Sequence, residues 1–127
     1  MILMTVHQSS RESSYREFDV ESVHDVLADF EALSEHPDVE IALKRATTGD
    51  ELLVAIDKGK FVVGWADSTG IYELDDPDHD GPVIEMLIGG QLTTLPPRNA
   101  ATRQEAREAI SEFIAGARSS RLLWARR

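Results

Sequence analysis

The chain has 127 residues, 42% of them apolar, with a formal net charge of −10 and no cysteine. Disulfides, thiolate metal sites and cysteine nucleophiles are therefore excluded, and no apolar run approaches the roughly 20 residues that a membrane-spanning helix needs. Residues 98–127 carry seven Arg against three Glu, a local +4, so the first 97 residues hold −14 and repel phosphate backbones rather than bind nucleic acid. A chain of this length reads as one domain, 1–127. The apolar opening from Met1 to Val6 lacks a basic flank and is cut off by Gln8, Ser9 and Ser10, so it is no signal peptide and the expected location is the cytoplasm.

Residues 1–8 read as a first strand, residues 9–14 as an aperiodic polar stretch, and residues 15–18 extend or resume the strand. Asp19 offers an N-cap. Val20, Val23, Val26, Leu27, Phe30 and Leu33 then recur at helical spacing against Glu21, Asp25, Asp29 and Glu31, which predicts a helix ending before Pro37. Pro37 disfavours the helical region at His36, so 34–38 is a turn. From Val39 the period becomes two: Val39, Ile41 and Leu43 alternate with Glu40, Ala42 and Lys44.

Two apolar runs, 52–56 and 61–65, flank Asp57-Lys58-Gly59-Lys60, which has the composition of a tight hairpin turn. A shorter strand covers 71–74 and a loop covers 75–82. Residues 83–88 and 91–95 then pair around Gly89-Gly90. Thr102 and Glu105 form a capping box for a second helix over 102–117. Ala106, Ala109, Ile110, Phe113 and Ile114 make its apolar stripe, Arg103, Arg107, Glu108 and Glu112 face away, and Gly116 supplies the C-cap. The run 121–125 returns to the sheet as a last strand. This order predicts an α+β domain, an antiparallel sheet of about five to six strands with two helices packed on one face, its other face solvated or open to a ligand.

Few motifs carry chemistry. Asp76-Pro77-Asp78-His79-Asp80-Gly81 has the opening of a calcium loop, but its twelfth position is Leu87 where a bidentate Glu belongs, and its flanks read as strands. Solvated acidic loop and charged tip for a basic partner are the competing readings. His7, His24, His36 and His79 fall in four different elements without metal-ligand spacing. Nucleophile-elbow and phosphate-loop motifs are absent. Trp65 and Trp124 end apolar runs and suit core packing before an interface.

Gly89-Gly90 leading to Leu95-Pro96, the helix from Thr102 to Phe113 with its Gly116, and the closing Leu123-Trp124 together resemble the Imm1 family, immunity proteins of bacterial polymorphic toxin systems common in actinobacteria. Family members place a Pro after the helix, where this chain has Ser119 and Ser120. The resemblance implies a protein that neutralises a cognate toxin domain, most often a nucleic-acid deaminase, in the cytoplasm of the producing cell, with no catalytic residues and no cofactor. A toxin that grips nucleic acid is basic, and an acidic body suits it. The expected toxin-binding residues are Glu73, Asp75, Asp76, Asp78 and Asp80, chosen for charge density and loop exposure. A regulatory or scaffold module binding another basic protein, or itself, is the alternative, and a small calcium-binding domain is the third reading. Monomer and homodimer are both open.

Overall fold

The computed structural model describes residues 2–8, 14–19, 22–119 and 121–127. The chain runs β1 (Ile2–Gln8), β2 (Ser14–Asp19), α1 (Val23–Leu33), β3 (Val39–Arg45), β4 (Glu51–Asp57), β5 (Lys60–Asp67), β6 (Gly70–Leu74), β7 (Ile84–Ile88), β8 (Gln91–Leu95), α2 (Arg103–Ala115) and β9 (Trp124–Arg126). The expected α+β architecture is present. Seven strands form one antiparallel sheet in the order β2-β1-β3-β4-β5-β6-β9. The period-two pattern places Val39, Ile41 and Leu43 of β3, Leu52, Val54 and Ile56 of β4, and Phe61, Val63 and Trp65 of β5 on the same buried face.

Both helices cover that face. Val26, Phe30 and Leu33 of α1 and Ala106, Ala109, Ile110 and Phe113 of α2 join the strands in one apolar core. Phe30 packs against Phe61 with ring centroids 5.3 Å apart, and Trp65 makes edge contacts with Phe113 at 5.0 Å and Trp124 at 5.7 Å. Both tryptophans thus belong to the packing. Across the outer surface of the helices, Arg103 pairs with Glu31 and Glu35, and Arg107 with Glu31.

Local chemistry explains the element ends. Both halves of the Thr102–Glu105 capping box are made, and Gly116 closes α2 with a φ of 105° that costs a glycine little. Lys58 and Gly59 (φ 50° and 80°) and Gly89 and Gly90 (φ 58° and 82°) are two-residue turns with both central residues left-handed, the twist that flanking strands prefer. The N-cap of α1 is Ser22 rather than Asp19, which lies in β2; the Ser22 hydroxyl accepts from the Asp25 amide. Val20 lies outside the described residues. Glu112 is also not outward: it is 6% exposed, and its two carboxylate oxygens take the Ser119 amide at 2.7 Å and the Ser119 hydroxyl at 2.8 Å. Ser119, in the segment after the helix, is thereby held by α2 itself. The final strand is shorter than the run 121–125 suggests, with Leu122 buried ahead of it.

The chief departure concerns β7 and β8, which pair only with each other and not with the meander. This hairpin lies against β4 on the sheet face that the helices leave open, where Met86 and Ala55 are buried apart from the main core. Two buried carboxylates fasten it. Asp57 accepts the Leu87 amide at 2.8 Å and the Asp38 amide at 3.3 Å, and Asp38 accepts the Gly90 amide at 2.8 Å. Lys60 adds a bond from its ammonium to the Glu85 carbonyl at 2.6 Å. Charge-assisted bonds of this kind stabilise more than neutral ones.

Candidate functional site

The acidic loop leaves β6 and is pinned at its start by backbone bonds from Asp75 to Leu123 and from Asp76 to Arg98. Its carboxylates do not form one patch. Asp75 is ion-paired with Arg98 at 2.5 Å. Asp76 is turned inward by an Asx turn, its Oδ1 accepting the Asp78 amide, so that Oδ2 lies 3.3 Å from His79 Nε2. Asp78 and Asp80 are exposed and make no ion pair among the described residues, although Asp80 accepts the amide of Gly81. Glu73 is elsewhere: it belongs to β6 and pairs with Arg127 at 2.8 Å. Of the five expected residues, four lie in this loop, and two of those carry no ion pair among the described residues.

His79 is the residue that spacing could not single out. The Ala100 carbonyl lies 2.9 Å from Nδ1, which donates to it, and Nε2 faces both Asp76 and, at 3.6 Å, Glu105 of the capping box. Asp76, His79 and Glu105 set ligand-type atoms within 4.8 Å of one another, and no sequence pattern joins loop residues 76 and 79 to a helix start at 105. The calcium reading needs Asp76, Asp78 and Asp80 around one ion, whereas Asp76 is committed to His79.

A second polar cluster joins the β5–β6 turn to the segment after α2. Asp67 takes the Thr69 amide at 2.8 Å and the Thr69 hydroxyl at 2.6 Å, and lies 3.3 Å from Arg118. The Thr69 hydroxyl also meets the Tyr72 hydroxyl at 2.7 Å, and the Arg118 guanidinium stacks over the Tyr72 ring at 3.5 Å. The Thr69 bonds, with Arg118 adding to them against some desolvation, hold the Asp67 carboxyl below its ordinary pKa, and the same two partners lower the Tyr72 hydroxyl. Asp67…Thr69 is a local turn pattern, but nothing in sequence foretells Arg118.

A depressed carboxyl pKa stabilises the fold above the pKa of the unfolded chain, and the contribution disappears as pH falls through the lower folded value. Asp67→Asn should therefore lower the melting temperature at pH 7, and its gap to the wild type should close below about pH 4. Thermal melts across pH 2–7 measure this. A gap that is constant over that range contradicts the role given to Asp67.

Among the described residues no helix is long and apolar enough to cross a membrane. A family model described as immunity protein Imm1 matches residues 16–126, nearly the whole chain. No curated protein matches it.

Proposed function

Since the chain belongs to the Imm1 family of immunity proteins, we propose that it protects the producing cell by binding a cognate toxin domain in the cytoplasm and blocking it without catalysis. The family match carries this reading. The charge of the chain supports a basic partner, and a nucleic-acid deaminase is the toxin class that the family resemblance implies, one whose grip on a phosphate backbone would supply that cationic surface. The toxin-facing charge is assigned to the group Glu73, Asp75, Asp76, Asp78 and Asp80, with Asp78 and Asp80 the members available for a new ion pair. Long-range attraction from such free carboxylates acts mainly on the association rate.

Co-expression with the toxin domain encoded beside this gene is the direct test. Growth should be rescued by the wild-type chain, and continued killing at equal expression would defeat the immunity reading. Reversing both free charges, Asp78→Lys with Asp80→Lys, should slow toxin association about tenfold at low salt and flatten its salt dependence. Stopped-flow association at two ionic strengths reads this, and an unchanged rate constant removes the loop from the encounter surface.

A further inference from the structure

The sheet face opposite the helices is unevenly furnished. Along β5 the inward positions are Phe61, Val63 and Trp65, while the outward ones are Val62, Gly64 and Ala66. Strand register sets Gly64 between Leu53 and Glu73, and Ala66 between Glu51 and Ile71. The β7–β8 hairpin stands over one side with Ile88, and Arg127 stands at the other. Between them lies a hollow of about 310 Å³ with Gly64 on its floor.

Nothing among the described residues requires that glycine. Its backbone is not among the left-handed positions, and a Cβ placed there meets only the Tyr72 carbonyl oxygen at 3.7 Å, an ordinary contact. Glycine inside a strand weakens it and marks a bulge, a bend or the close approach of a ligand or another backbone, and this strand pairs in regular register on both sides. The rim is apolar and open: Ile71 is 56% exposed and Leu53 is 39% exposed. It also carries two carboxylates. Glu73 is paired with exposed Arg127, and Glu51 makes no ion pair among the described residues.

We infer that this hollow is the anchor site for the cognate toxin, receiving an apolar side chain from a projecting toxin segment whose neighbouring Lys or Arg pairs with Glu51. The inference rests on the toxin-binding reading and deepens it. Charge selects the occupant: two copies of this chain, each of formal net charge −10, repel one another, whereas a basic partner is attracted, and Glu51, whose cross-strand neighbour is Lys44, is the rim carboxylate left without an ion pair among the described residues. An apolar anchor seated in a pocket with a charged rim is the arrangement in which few residues carry most of the affinity. The acidic loop then governs how fast partners meet, and the hollow governs how long they stay.

The test uses the full chain and a catalytically inactivated form of the toxin domain encoded beside it. Gly64→Leu fills the floor, and Leu53→Glu and Ile71→Glu spoil the rim at positions that are already open to solvent. All three should keep the circular dichroism and cooperative unfolding of the wild type and weaken toxin binding about 100-fold, mostly through faster dissociation. If Gly64→Leu misfolds, the two rim variants decide alone. Wild-type affinity in the folded variants overturns the inference and leaves the immunity reading standing. A change in sedimentation from dimer to monomer with toxin affinity intact overturns it too, and gives the hollow to self-association. A wild-type chain that does not bind this toxin overturns both readings.

Discussion

Phe113→Ala should cost about 3–5 kcal/mol and lower the melting temperature by roughly 10–20 °C. Phe113 has no exposed surface, and its ring is the meeting point of α2 with the sheet. Trp65 touches its edge, the Arg45 guanidinium lies 5.4 Å over its centroid, and the same guanidinium donates to the Phe113 carbonyl. Truncation removes both ring contacts and leaves only the backbone bond, and Trp65 and Arg45 are strand-borne and cannot collapse into the space. Thermal denaturation with Leu92→Ala as a control measures it, since Leu92 is 67% exposed and its truncation should change little. A loss below 1 kcal/mol for Phe113→Ala would mean that α2 is not seated as described.

The second large effect should come from Asp57→Ala, and it should be local. The carboxylate is 6% exposed and holds the amides of Leu87 and Asp38. Removing it leaves two donors without an acceptor beneath the hairpin, at a cost of about 2–4 kcal/mol. The hairpin has an escape that the sheet lacks, because it can lift away and let water satisfy those donors. Hydrogen exchange should therefore quicken by one to two orders of magnitude at residues 84–95, with β3, β4 and β5 little changed. Uniform acceleration throughout the protein would show that the hairpin is not a separable unit.

Much of this fold is legible in the residues. Alternation from Val39 to Lys44, the Thr102–Glu105 box and the Lys58-Gly59 and Gly89-Gly90 turns are rules acting over a few residues, and each is realised. What escaped are side chains that act across long sequence distances. The period around Gly89-Gly90 announces a hairpin but cannot tell that Asp38 and Asp57, some thirty to fifty residues upstream, hold it off the sheet edge and against its face. Glu112 looks like a solvated helix residue until Ser119 turns back onto it. Ser22 rather than Asp19 caps α1, its hydroxyl accepting the amide of Asp25 three residues on. The acidic loop reads as a uniform patch because composition counts charges, whereas Arg98 and His79 already occupy two of them. The hollow did leave a trace: large residues at 61, 63 and 65 alternate with small ones at 64 and 66.

The fastening of the β7–β8 hairpin has an evolutionary consequence. Because backbone ladders tie it only to itself and the side chains of Asp38, Asp57 and Lys60 tie it to the sheet, insertions or exchanges within residues 84–95 need not disturb the register of the seven strands. An immunity protein must keep pace with a changing toxin while its scaffold stays constant. With the hollow proposed as the toxin anchor, a wall that can be remodelled apart from the floor would let one fold follow such changes, and related chains should diverge most in this hairpin while keeping an acid at the positions of Asp38 and Asp57.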